Sequence, residues 1–284
     1  MKTKYFSIIA VALALVACDK NNDDFNIDDT KDTPITIASA GVAELTTRVI
    51  TDGKLVGISD EEPATMSVFV TGGSEAKYNA TNLKWEHDGT SWNSETNVLY
   101  EGKTSQQKIY AYSPFFFDST GSIAVNASEQ TDWLVASATD LTSSVVNLTM
   151  THALTKLVLK PTFGTELTSQ TITSVKVEGM YASGTLNVFD NTWSDLPEAN
   201  TILAMANNEL LVIPMESCTS LPITITMEDA RVFKRTINLA TVDNKLEAGV
   251  QYNIRLQIGQ DKVTLGSITA SPWGYAAGGV LETE

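Results

Sequence analysis

From about residue 33 onward, apolar and polar positions alternate in short runs, and turn-forming residues separate the runs. Met66–Val70 leads into Gly72 and Gly73, and Lys108–Tyr112 leads into Ser113 and Pro114. Asp132–Ala136, Val145–Met150 and Leu154–Leu159 follow, the last closing on Pro161. The second half continues with Ile172–Val177, Gly184–Val188 and Glu209–Ile213 before Pro214. Ile223–Met227 and Val232–Ile237 flank Glu228, Asp229 and Ala230, a predicted hairpin turn. In Gly249–Ile258 the pattern is cleanest: Val250, Tyr252, Ile254, Leu256 and Ile258 share one face, and Gln251, Asn253, Arg255 and Gln257 the other. A period of two with one wet face predicts antiparallel strands. Apolar residues nowhere recur at i, i+3, i+4 and i+7 for long, so the prediction is an all-β chain without long helices. Its length of 284 residues suits two β-sandwich domains in series, residues 33–144 and 145–284.

The N-terminus breaks this pattern. Lys2 and Lys4 precede an apolar run from Tyr5 to Ala17, shorter than the ~20 residues that cross a bilayer as a helix. A basic start, a short apolar stretch and a small residue before the cut predict a signal peptide over residues 1–17. The ending Leu15, Val16, Ala17, Cys18 resembles the bacterial lipobox. That resemblance implies cleavage between Ala17 and Cys18 and a diacylglycerol on the Cys18 thiol. Residues 18–32 are polar and acidic, a composition expected to form a disordered tether. An acidic stretch directly after the cysteine resembles the surface-export signal of Bacteroidetes lipoproteins. The Asp-x-Asp-x-Asp-Gly spacing of a calcium loop is absent from it.

Charge and rare residues narrow the chemistry. The formal charge is −15, from 34 acidic and 19 basic residues. Nucleic acid and anionic lipid heads both call for clustered cations, so neither is an expected partner. With Cys18 lipidated, Cys218 has no intrachain partner, and it is expected to be a small, inert residue. His87 and His152 are the only histidines, and no paired-ligand spacing or phosphate-cradling glycine loop accompanies them. Asp60, Glu61 and Glu62 sit in a turn-like context, as do Glu228 and Asp229, and both groups are read as solvated. No catalytic residue, metal or cofactor is therefore expected. Trp85, Trp92, Trp133, Trp193 and Trp273 are expected to pack, although an exposed one would suit a sugar. Ala276–Gly279 is expected to belong to a flexible tail.

Several segments in order carry a family resemblance. They are the lipobox at Cys18, Trp85–Trp92, Ile109–Phe115, Asp132–Ala136, Thr151–Leu157 and Leu246–Ile254. Together the chain resembles the fimbrillin family, the type V pilus subunits and related lipoproteins of Bacteroidales. The resemblance implies two transthyretin-like sandwiches and export to the surface of the outer membrane through the lipid. It further implies cleavage by an arginine-specific protease and assembly with other fimbrial subunits into a fimbria by strand exchange. Thr46–Val49 resembles the family's cleavage segment, placing the scissile bond between Arg48 and Val49. Pro34–Ala38, with Ile35 and Ile37 on one face, is then a removable first strand. Lys262–Ala270 is a candidate donor strand through Val263, Leu265 and Ile268, with a bulge or bend expected at Gly266 and Ser267. The competing expectation is a surface lipoprotein that keeps its lipid and anchors a fibre or binds a host or bacterial glycan or protein.

Overall fold

The computed structural model describes residues 31–42, 64–117, 119–167 and 169–273. Their secondary structure is almost wholly β, with three single-turn 3-10 helices. The first half holds β1 (Thr33–Pro34), β2 (Thr36–Val42), β3 (Thr65–Thr71), β4 (Ala80–His87) and β5 (Trp92–Asn93). It continues with β6 (Leu99–Tyr100), β7 (Lys108–Ser113), β8 (Ser122–Asn126), β9 (Leu134–Asp140) and β10 (Val145–His152). The second half begins with β11 (Thr155–Phe163), β12 (Ile172–Met180), β13 (Ser183–Asn187), β14 (Thr192–Ser194) and β15 (Thr201–Ala204). It ends with β16 (Glu209–Val212), β17 (Ser220–Met227), β18 (Val232–Asn238), β19 (Val250–Ile258) and β20 (Val263–Pro272). The hairpin expected around Glu228 to Ala230 joins β17 and β18, with Ala230 left-handed at φ 64°.

A seven-stranded sheet in the order β2-β10-β9-β7-β3-β4-β5 forms the middle of the molecule. Its central strands are buried on both faces. Met66, Val68, Val70, Ile109, Ala111, Leu134 and Ala136 fill a first core with Trp85, Trp92, Val146 and Leu148. Their neighbours Phe69, Tyr112 and Val135 point the other way into a second core. The sheet's edge strands β2 and β5 approach each other, so the sheet curls around the first core.

That second core is shared with two four-stranded sheets, β16-β11-β19-β20 and β15-β12-β17-β18. Leu157 and Leu159, Val175 and Val177, Ile223 and Ile225, and Tyr252 to Leu256 on alternate positions line it. A second connection is backbone: β8 from the first half pairs along five residues with β13 from the second, Ser183 opposite Asn126 through Asn187 opposite Ser122. Phe189, just past β13, packs edge-on against Phe69 at 5.1 Å and Tyr110 at 4.9 Å. Strand β10, which opens residues 145–284, is hydrogen-bonded into the seven-stranded sheet.

Two ladders depart from the antiparallel expectation. β10 runs parallel to β2, and β11 runs parallel to β19 over eight residues. Alternation selects which face of a strand is buried and carries no information on the neighbour's direction, which the long connections set here.

Because one core and one ladder join the halves, they should unfold together. Near- and far-UV circular dichroism are expected to report one coincident thermal transition. Leu186→Ala in β13, wholly buried in the shared core, should destabilise that single transition by about 2–5 kcal/mol rather than split it.

Candidate functional site

The N-terminal segment joins the fold as an added edge. Asp32 N donates to Tyr100 O at 2.8 Å, β1 pairs with β6, and Ile35 N donates to Val98 O at 2.9 Å. Pro34 lacks an amide hydrogen, which an edge position tolerates. At Thr36 the chain crosses to β10: Thr36 N donates to Ser144 O at 2.8 Å, and β2 runs beside Val145–Met150. Ile35 and Ile37 are buried in the first core. The register then shifts, Ile37 lying opposite Val146 but Ser39 opposite Asn147, so Ala38 is an extra residue in the ladder. Such a bulge reverses the in–out phase, and Ala40 consequently points inward at 0% exposure. Ser39 Oγ donates to Asn147 Oδ1 at 2.7 Å on the outer face.

A polar clasp holds the start of this segment. Tyr78 Oη donates to Asp32 Oδ1 at 2.6 Å and Lys77 Nζ lies 2.9 Å from the same oxygen. The Tyr78 hydrogen bond, and then Lys77, hold the Asp32 carboxyl below the usual carboxylate range. The hydrogen bond to Asp32 likewise raises Lys77.

β10 depends on β2 for most of its backbone pairing. Six residues of β10 are in register with β2, whereas only Thr151 and His152 are in register with β9, opposite Val135 and Leu134. Taking β2 away would open the edge of β10 and uncover the sites of Ile35, Ile37 and Ala40 together. β2 ends at Val42 and β3 begins at Thr65, and Arg48 and Val49 fall between these positions in the sequence. Arg48, Val49, Ala17, Cys18, the acidic group at Asp60 to Glu62 and Ala276–Gly279 lie outside the described residues.

Val263, Leu265 and Ile268 lie on β20, the edge strand beside β19, in register with it over nine pairs. Arg255 faces Ser267 and Leu256 faces Leu265, so Gly266 is the bulged residue, at the position the apolar phase shift predicts. A Cβ there would come within 3.3 Å of Arg255 O, a tight contact to which that neighbour would have to yield. Val263 and Ile268 are buried, and Leu265 is 38% exposed. The two edge strands correspond in sequence. Ile35-Thr-Ile-Ala-Ser-Ala40 and Val263-Thr-Leu-Gly-Ser-Ile268 both carry apolar residues first, third and sixth, Thr second and Ser fifth. In both, the fourth residue is the bulge.

The residues weighed for other chemistry have structural partners. His152 pairs with Asp132 at 2.8 Å and stacks on Trp273 at 3.6 Å. His87 Nδ1 accepts from Gly89 N at 3.1 Å, and its ring meets Trp92 edge-on. Trp85, Trp92 and Trp133 are buried. Trp193 is half-buried and donates to Ala153 O at 3.2 Å. Burial pushes the Cys218 thiol up, away from the thiolate a nucleophile needs. Among the described residues no group of three or more His, Cys, Asp or Glu is placed to hold a metal ion.

The edge of β10, the bulge at Ala38 and the clasp on Asp32 were not legible as a site in the sequence. The resemblance that makes Pro34–Ala38 a removable strand, and the repeated apolar spacing of 35–40 and 263–268, were the signals that pointed there.

A family model described as fimbrillin-like matches residues 47–273. Among solved structures, a candidate cell adhesion protein of Bacteroides ovatus matches with a TM-score of 0.63 at 17% identity, covering 85% of this chain and 98% of its own. A candidate cell adhesion protein of Bacteroides uniformis gives 0.61 at 20% identity, with 75% and 93% covered. The C-terminally truncated tip fimbrial protein Mfa3 of Porphyromonas gingivalis gives 0.50 at 10% identity, with 75% and 95% covered. At such identities these likenesses are of fold. No curated protein matches the chain.

Asp32→Asn should loosen residues 32–42 without affecting β11 and β19, read as faster amide exchange at Ile35, Thr36 and Ser39. The Asp32 carboxyl is lowered in the folded state, so its contribution is present above the unfolded carboxylate value of about 3.9 and lost as pH falls through the folded one. In wild type, protection of this segment should be flat from about pH 5 to 8 and decline only on further acidification.

Proposed function

The chain belongs to the fimbrillin-like family, and from that premise we propose that it is a structural, adhesive subunit of a cell-surface fimbria. In this reading it is exported as a lipoprotein held at Cys18 and matured by an arginine-specific protease between Arg48 and Val49. It then assembles with other fimbrial subunits by strand exchange. The observation that carries the reading is the dependence of β10 on β2. A cut at Arg48 turns β2 from part of the chain into a separate ligand. Its high effective concentration is then lost, and dilution draws it away.

An incoming strand must satisfy the same geometry: two alternating aliphatics, a bulge, and a residue that fits the site of Ala40. Backbone hydrogen bonds supply the affinity and the side-chain sites supply the register. Val263 to Ile268 of another copy meets this pattern, with Thr264 in place of Thr36 and Ser267 in place of Ser39. Its Ile268 is larger than Ala40, so that site must relax to admit it. The nine-pair ladder to β19 keeps the segment at home until an edge of β10 is open. Spontaneous assembly of the uncut chain is thereby disfavoured. Of the two sandwiches expected at 33–144 and 145–284, the first together with β10 would supply the acceptor site, and the second the donor strand.

Arg48→Ala should abolish polymerisation in the native host while leaving a folded, lipidated monomer. Register is tested by co-expressing Val145→Cys chains with Thr264→Cys chains, because Thr36 is the residue opposite Val145 and both face outward. Fibres should contain a disulfide between positions 145 and 264, identified by mass spectrometry. Polymer in which Leu265→Cys cross-links to position 145 instead would refute this register. Polymer whose subunits begin at acylated Cys18 rather than Val49 would refute the cleavage, and would favour the lipid-retaining anchor.

A further inference from the structure

Phe116 and Phe117 stand out on this surface, at 49% and 81% exposure. The loop that carries them is nonetheless closely held. Asn82 Nδ2 donates to Phe116 O at 2.9 Å and to Phe117 O at 2.8 Å. The hydroxyl of Tyr112, whose side chain is fully buried, lies 3.0 Å from both Phe116 O and Asn82 Oδ1, which share its hydrogen. Asn82 takes a left-handed conformation, φ 50°, that asparagine tolerates better than most residues. Phe115 N donates to Thr65 Oγ1 at 3.2 Å, and Ser113 Oγ to Thr65 O at 2.7 Å. The backbone is therefore fixed from the core side, its two carbonyls are turned inward, and two large apolar rings are left in water.

From this arrangement we propose that the Phe116–Phe117 loop is a membrane-contact tip that seats both rings in the interface of a bilayer with zwitterionic headgroups. Entry of an irregular loop into a lipid interface is normally opposed by its unsatisfied backbone groups. Here the carbonyls of both residues are satisfied by Asn82 and Tyr112, so that opposition is reduced before contact. Apolar area then drives partition, since interfacial binding scales with the area buried. A sugar is a poorer fit: it needs placed hydrogen-bond groups beside the aromatic face, and these carbonyls face away from it. Anionic lipid is disfavoured by the net charge of −15. The proposal does not depend on strand exchange, although repetition along a fibre would convert a weak contact into a strong one.

The test is flotation of residues 19–284 with phosphatidylcholine vesicles, so that neither an acyl chain on Cys18 nor the apolar run from Tyr5 to Ala17 contributes. The starting protein should float with the vesicles. Phe116→Ser combined with Phe117→Ser, both at exposed positions, should lower that partition by about tenfold or more with an unchanged melting temperature. Asn82→Gly keeps both rings and permits the same backbone conformation, yet should lower it by about threefold, because the loop is no longer pre-organised. Absence of vesicle binding by the starting protein, or equal binding by the double variant, overturns the proposal. Loss of self-association rather than of lipid binding in the double variant overturns it too, and assigns the rings to a second copy.

Discussion

Burial of both faces of the seven-stranded sheet is the constraint on which the rest of this molecule depends. Met66, Val68 and Val70 look into one core while Phe69, between them, looks into the other. The same division recurs at Ile109, Ala111 and Tyr112, and at Leu134, Ala136 and Val135. A sheet packed on both sides cannot slip by one residue without driving each side chain into the wrong core. It also cannot separate from the second half without exposing Phe69, Tyr112 and Val135 to water. The five-residue ladder of β8 on β13 and the Phe189 contacts add backbone and aromatic ties across the same seam.

With the faces committed, change is possible only at edges. The β2 edge differs from an ordinary one because the strand beneath it, β10, has little pairing of its own with β9. β2 is also held by a short clasp at Asp32 and by three buried side chains, rather than by integration into the sheet's centre. On the proposed reading, it is the part of the first core whose exchange would disturb the rest least. At the other extremity, β20 is laddered to β19 along its length and further held by Arg235, whose Nε donates to Val263 O. The two edge strands share a bulge at the same place in a similar six-residue pattern, and a bulge fixes register where simple alternation would allow slippage.

A fibre subunit needs covalent-like persistence at its joints and a surface that does not aggregate before assembly. The acidic charge serves the second need by mutual repulsion. Where two aromatic rings are displayed side by side, at Phe116 and Phe117, the underlying backbone is closely fixed. That separates a displayed surface from an incidental one, since a loop with unsatisfied carbonyls would be neither rigid nor easily desolvated.

The sequence alone determined that this chain is β, because side-chain alternation is a local property that each segment carries by itself. It also determined where many strands lie, that Gly266 interrupts its strand, and, through residues 47–273 and their motifs, the fimbrillin-like family. Double-faced burial left a trace in runs such as Met66–Val70, where apolar residues nearly fill both phases, but a run does not say what covers its second face. Ser122–Asn126 alternates as well, with Ile123 and Val125 buried, yet it is short, and nothing in its residues names β13 as its partner. Strand direction, the pairing of β2 with β10 and of β11 with β19, and the seam between the halves are long-range choices. They are decided by loop lengths and by which cores can be filled at once, and so appear only in the tertiary structure.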